Sequence, residues 1–138
     1  MMKALVYTQP NEVQLQQRPL PDLLPGEVVL HIEAVGICGS DMHAWHGHDP
    51  RRKPGLVLGH EFVGRVAQSA APGFAVGTRY TGNPLITCGV CEYCVQGRNN
   101  LCVHRTMVGM TRPGAFAEYM SIPAASLIRP SINTTSAP

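Results

Sequence analysis

Charge is scarce in this 138-residue chain. Asp, Glu, Lys and Arg make up 14% of it, against about a quarter in average proteins, and the formal net charge is only +2. So weak and scattered a balance does not suit a nucleic-acid or anionic-membrane surface. The one basic run, Arg51-Arg52-Lys53, is flanked by Pro and Gly and reads as a solvated loop. No apolar run approaches the roughly 18–20 residues of a bilayer span. The start, Met1–Thr8, lacks the apolar stretch of a secretion signal. A soluble, cytoplasmic protein is expected. Missing too is any pair of glycines two residues apart, so the Gly-x-Gly-x-x-Gly turn that cradles a dinucleotide is absent.

Turn-forming residues, by contrast, are abundant, with 14 Gly and 12 Pro. That mix fits short strands joined by tight turns and argues against a helical bundle. Period-two patterning is clearest at Glu27–Ala34, where Val28, Leu30, Ile32 and Ala34 share one face after the Pro25-Gly26 turn. Further strands are expected at Lys3–Tyr7, Val13–Gln17, Phe62–Ala67, Thr78–Thr81, Ala115–Met120 and Ser126–Arg129. Only two short helical pieces suggest themselves. One runs from Ser40, as N-cap, to about His46; the other lies within Cys91–Gln96 and closes at Gly97. The class is therefore mainly β, a small barrel or sandwich. Residues 1–130 read as one domain, and the polar stretch 131–138 as a flexible tail.

Cytosolic thiols stay reduced, so the five cysteines read as metal ligands before disulfides. Cys88, Cys91, Cys94 and Cys102 form C-x2-C-x2-C-x7-C, four sulfurs within fifteen residues. Such a set suits tetrahedral zinc, and with every position filled by protein the zinc would be structural. Four thiolates can also hold iron, or stay free. A closed cage of this spacing does not suit a thiol redox pair. Nor does the lobe look like a nucleic-acid ribbon, since only Tyr93, Arg98, His104 and Arg105 supply basic or aromatic character around it.

The fifth cysteine lies in Gly36-Ile37-Cys38-Gly39-Ser40-Asp41-Met42-His43, about twenty residues before Gly59-His60-Glu61-Phe62-Val63-Gly64. Cysteine, histidine and carboxylate are the ligand types of a catalytic zinc with an open position. Each residue also has a bland reading, as a buried small hydrophobe, a core histidine or a surface carboxylate.

These two segments and the four-cysteine lobe, in this order and spacing, resemble the medium-chain zinc-dependent alcohol dehydrogenases. Cys-Gly-Ser-Asp-x-His and Gly114-Ala115-Phe116-Ala117-Glu118-Tyr119 are similar to the polyol (sorbitol-like) and threonine dehydrogenase branch. The likeness covers about Met2–Pro130 and implies a GroES-like, partly open β-barrel with a projecting zinc lobe. It implies Cys38 and His60 as ligands of a catalytic zinc, Glu61 as a ligand or exchanging near-ligand, and Ser40 and His43 as a proton relay. Asp41 would orient a ligand, and Trp45 would wall the substrate pocket or simply pack in the core. His46, His48, His31 and His104 are expected outside the metal sites, and Glu118 as an ion-pair partner in the barrel. The implied chemistry is oxidation of a secondary alcohol, such as a polyol, to a ketone with NAD or NADP. Oligomers are expected only of a longer form.

Some departures bear on function. The resemblance places a cofactor domain, a further catalytic-zinc ligand and a returning C-terminal segment beyond the barrel, outside these 138 residues. The chain alone is therefore expected to be inactive. Its alternative role is a truncated zinc-binding barrel acting as an interaction module. Where the family has Gly-Asp-Arg-Val, this chain has Gly77-Thr78-Arg79-Tyr80, which removes an Asp–Arg contact, and the connection Gln68–Val76 looks slightly short, with Ala70 where the family prefers Gly.

Overall fold

A computed structural model describes residues 1–130, so the tail expected at 131–138 lies outside the described residues. Ten strands dominate: β1 (Met2–Gln9), β2 (Glu12–Arg18), β3 (Glu27–Gly36), β4 (Leu56–Val57), β5 (Glu61–Ser69), β6 (Arg79–Gly82), β7 (Leu85–Ile86), β8 (Thr106–Met107), β9 (Tyr119–Pro123) and β10 (Leu127–Ile128). The helices are α1 (Gly39–Trp45) and α2 (Glu92–Val95), with 3-10 turns at Asn99–Leu101 and Ala124–Ser126. Strand pairing is antiparallel throughout these elements, in a sheet ordered β2-β1-β4, a sheet ordered β10-β6-β5-β3-β9, and the ribbon β7-β8.

The main core lies on the five-stranded sheet, where Leu30, Met120 and Ile122 are fully enclosed with Val28, Val66 and Phe62. Each such large apolar side chain contributes about 1.5–3 kcal/mol by leaving water. Beyond the expected strands, β4, β7 and β8 are two-residue pairings, too short for any periodicity to show.

β3 departs from strict alternation. Val28 and Leu30 face the core as expected, yet Ala34 is exposed and Val35 packs inward instead. The pairing with β5 slips between Ile32 and Ala34, so Glu33 is an extra residue that reverses the faces beyond it. Gly64 is what lets the strands approach here, since a Cβ would come within 2.6 Å of the His31 carbonyl oxygen. Glu33 then accepts from Arg65 at 2.7 Å and Arg79 at 3.0 Å. Arg79 thus has a carboxylate partner, although the Asp that the resemblance places at position 78 is Thr here. The Arg79 hydrogen bond is also the main cause of the lowered Glu33 pKa.

Of the strand expected at Ala115–Met120, only Tyr119 and Met120 are regular strand, and residues 115–118 instead stitch two elements together. Ala115 and Phe116 donate to Gly59 and Leu58, while the Leu5 N–H reaches the Phe116 carbonyl and the Glu118 N–H that of Lys3. The Glu118 carboxylate accepts from the Lys3 backbone N–H at 2.8 Å and joins none of the ion pairs among the described residues, so its expected ion-pair role is corrected.

A second correction concerns the basic run. Arg51 and Lys53 are exposed, but Arg52 is only 4% exposed and pairs with buried Asp49 at 2.6 Å. Asp49 also takes the Arg51 guanidinium and backbone N–H, both at 3.0 Å. The Arg51 hydrogen bond, chiefly, holds the Asp49 carboxyl well below the usual carboxylate range. Because the folded-state pKa lies below the unfolded one, this contribution to stability is complete above about pH 4 and fades as pH falls further. Asp49→Asn should lower stability at pH 7 while flattening its acid dependence, as read from urea midpoints between pH 7 and 3.

Candidate metal centres

Cys38 ends β3's exit and caps α1. The residue preceding the helix is Cys38, in an extended conformation, and not Ser40 as expected; Ser40 already lies within the first turn. Asp41 explains the shift. Its carboxylate turns back to accept the Cys38 backbone N–H at 3.0 Å, which fixes the start of the helix. The helix is seated by Ala44, wholly buried against Tyr7 and Leu58. Leu58 leads directly into Gly59-His60-Glu61, so this contact brings the two halves of the site together.

The convergence is the central geometric fact. Ligand atoms of Cys38, His60 and Glu61 lie within 4.8 Å of one another. His60 is 7% exposed, and its Nδ1 faces Asp41 Oδ1 at 3.6 Å. Three buried polar atoms here have no protein partner: Ser40 Oγ, Asp41 Oδ1 and His60 Nδ1. Buried polar groups are rarely left this way, and their gathering around a Cys/His/carboxylate set fits a group that binds there.

Three glycines permit the close approach. Gly59 (φ 103°), Gly109 and Gly114 stack backbone on backbone: a Cβ at Gly109 would meet the Gly59 carbonyl oxygen at 2.8 Å, and one at Gly114 would strike the Leu58 carbonyl oxygen at 2.6 Å. The stack sits immediately before His60.

On α1, Ser40 and His43 are three residues apart and share a face. Asp41, Met42 and Trp45 lie on the other side, lining an apolar cavity of about 240 Å³ with Leu5, Leu58 and Phe116. Trp45 therefore walls this groove, on the face away from Ser40 and His43. His43 is exposed, its ring edge-on to His48 at 5.2 Å. His46 and His48 are exposed and belong to neither ligand group, His31 stacks on Tyr119, and His104 is exposed.

The second group is Cys88, Cys91, Cys94 and Cys102, again within 4.8 Å of one another. α2, beginning after Cys91, and the 3-10 turn before Cys102 fold the lobe back on itself. Backbone N–H groups of Cys88 and Cys91 point at the sulfurs of Cys102 and Cys88, both at 3.3 Å. The Sγ atoms of Cys88 and Cys102 are 3.6 Å apart. Sulfurs at tetrahedral corners 2.3 Å from zinc would be about 3.8 Å apart, so the cage has the right size. N–H groups of Cys94 and Val103 lower the Cys91 thiol to about 6, whereas burial pushes Cys94 up to about 11. Four sulfurs gathered this closely suit a cation among them. This cluster can hold a metal ion.

Sequence reasoning missed the Asp49–Arg52 pair and the glycine stack. A run of three basic residues carries no sign that the middle one turns inward, and nothing in the sequence shows which glycines will meet.

Comparison with known proteins agrees with the geometry. Residues 24–132 match the alcohol dehydrogenase GroES-like domain, and the chain belongs to that family. It is 46% identical over 132 residues to an L-threonine 3-dehydrogenase of Xanthomonas oryzae pv. oryzae (strain MAFF 311018), covering 91% of this chain and 39% of that one. A second L-threonine 3-dehydrogenase, from Chelativorans sp. (strain BNC1), is 42% identical over 134 residues, covering 93% and 39%. A Sinorhizobium meliloti 1021 protein, named provisionally as a zinc-binding dehydrogenase and solved with NADP, superposes with a TM-score of 0.86 at 37% identity, over 96% of this chain and 39% of that one. The chain thus spans about two fifths of the length of these relatives. Among the described residues no helix is long and apolar enough to cross a membrane.

Gly114→Ala would push a methyl group into two backbone carbonyls that cannot yield independently. It should cost about 1–3 kcal/mol, read as a lowered urea midpoint, whereas Gly39→Ala, with open space around it and no left-handed backbone, should lose less.

Proposed function

We propose that the chain is the zinc-bearing catalytic domain of an NAD(P)-dependent dehydrogenase acting on a small alcohol such as a polyol or 3-hydroxy amino acid. The observation that carries this reading is the meeting of Cys38, His60 and Glu61. Names of the relatives support the hydroxy amino acid, and the Cys-Gly-Ser-Asp-x-His resemblance supports the polyol. In this reading residues 1–130 are the domain, the four cysteines hold a structural zinc, and Cys38, His60 and Glu61 hold the catalytic one. With His60 Nδ1 turned to Asp41, its other ring nitrogen is left for the metal, and Asp41 fixes the ring.

A zinc ion there supplies Lewis acidity, drawing the pKa of a bound alcohol toward neutrality. The residues of this chain then handle the proton. The Ser40 hydroxyl, buried and free of protein partners, accepts a hydrogen bond from the substrate hydroxyl and relays its proton, giving up its own toward His43 as it receives the new one. His43, exposed on the same helical face, carries it toward solvent. NAD or NADP would supply the hydride acceptor, and these 138 residues contain no Gly-x-Gly-x-x-Gly turn for it.

Metal analysis tests the first half of this. The zinc-loaded chain should contain two equivalents, Cys38→Ser one, and Cys102→Ser one at most. Uptake of one equivalent by the unsubstituted chain would leave only the lobe, and would favour the interaction-module alternative.

Activity tests the second half. The chain alone, with NAD or NADP and a panel of polyols and L-threonine, should show no turnover. In a longer form that does turn over, Ser40→Ala and His43→Ala should each lower kcat by about 10²–10⁴-fold with little change in zinc content. Unchanged kcat in both would remove them from the reaction.

A further inference from the structure

Asp49 and Arg52 lie outside both cysteine groups, yet their burial leads back to His60. Arg52 Nη1 meets Asp49 Oδ2 at 2.6 Å, and Arg52 Nε donates to the Gly109 carbonyl at 3.1 Å. Gly109 is in backbone contact with Gly59, where a Cβ would come within 2.8 Å of the carbonyl oxygen and 3.0 Å of the nitrogen. The next residue is His60. Between the buried guanidinium and the peptide carrying that imidazole there is only backbone, with no flexible side chain to absorb a displacement. On its other side, Asp49 directly follows His48, which closes the loop leaving α1 through an N–H bond to the His43 carbonyl at 3.1 Å. The ion pair and the Arg52–Gly109 bond together therefore link the end of the α1 loop, through Gly109 and Gly59, to the segment that supplies His60. Enclosing a guanidinium forfeits its hydration, and the carboxylate and the carbonyl replace it.

We propose that the Asp49–Arg52 pair is a positioning element of the second metal centre, holding the Gly109–Gly59 contact so that His60 stays within ligand distance of Cys38 and Glu61. This rests on the reading of those three residues as a metal site. Arg52 touches none of the ligand atoms; it acts through Gly109 and Gly59.

The test is a cobalt(II) titration of the full 138-residue chain, with visible absorption separating a four-sulfur site from a mixed Cys/His/carboxylate site. Arg52→Met should load the four-cysteine site like the unsubstituted chain. At the second site its affinity should fall about 10–100-fold, with an altered visible band. Arg52→Lys, which keeps the charge but cannot span both partners with a planar fork, should also weaken that site. Val66→Ala, a core substitution on β5, serves as a control for general destabilisation and should leave the second-site affinity within about twofold. Should Arg52→Met fail to fold, Asp49→Asn and Arg52→Lys carry the same expectation.

If the unsubstituted chain takes up a second cobalt and the pair variants bind it with the same affinity and spectrum, the positioning role is wrong. A loss no larger than that of Val66→Ala would also overturn it. If the unsubstituted chain takes up only one cobalt, the metal reading of Cys38, His60 and Glu61 fails, and this inference with it.

Discussion

Close backbone contact among Gly59, Gly109 and Gly114 is the constraint on which the site depends. Each chain passes where a neighbour's Cβ would stand, so none of the three positions can carry a side chain unless backbone moves. Segment 114–116 contributes N–H bonds to Val57, Leu58 and Gly59 over the same stretch. The result is a rigid backbone shelf immediately before His60. Ala44 of α1 is buried against Leu58 beside it, and this brings Cys38 to the same place. Rigid backbone is a sound base for a metal centre, because ligand positions must hold to about half an ångström.

Two polar devices reinforce that shelf in different ways. Asp41 places one carboxylate oxygen on the Cys38 N–H, which fixes the helix start, and turns the other toward His60 Nδ1 at 3.6 Å. Asp49 and Arg52 act from outside, through the backbone. The four-cysteine lobe is independent of both. Its sulfurs are gathered by local turns and by N–H groups from residues 88–103, and α2 packs on the neighbouring 3-10 turn.

Much of this was legible in the order of residues. The strand at Glu27 followed from alternation, and the lobe from cysteine spacing, since ligands with two residues between them must share a knuckle. Three features escaped for physical reasons. The Ser40 N-cap was expected because a hydroxyl is a good cap, but Asp41 reaches back to the Cys38 N–H and moves the helix start forward by two residues. Ala34 was expected inside because alternation has no means of showing an inserted residue, and the slip at Glu33 turns the strand over. Arg52 was read as solvated because burial of a charge depends on a partner, and here the acceptors are a carboxylate three residues away and a carbonyl at Gly109.

The linear chain settles whatever depends on neighbours in sequence: the mainly β character, the turns, the sulfur cage, and the residue types fit to hold a second metal. Folding alone decides whether Cys38, His60 and Glu61 meet, which face of α1 presents Ser40 and His43, and that Asp49 and Arg52 are withdrawn from water. Those outcomes depend on contacts between segments tens of residues apart, where register slips and backbone packing, and not local preference, set the distances.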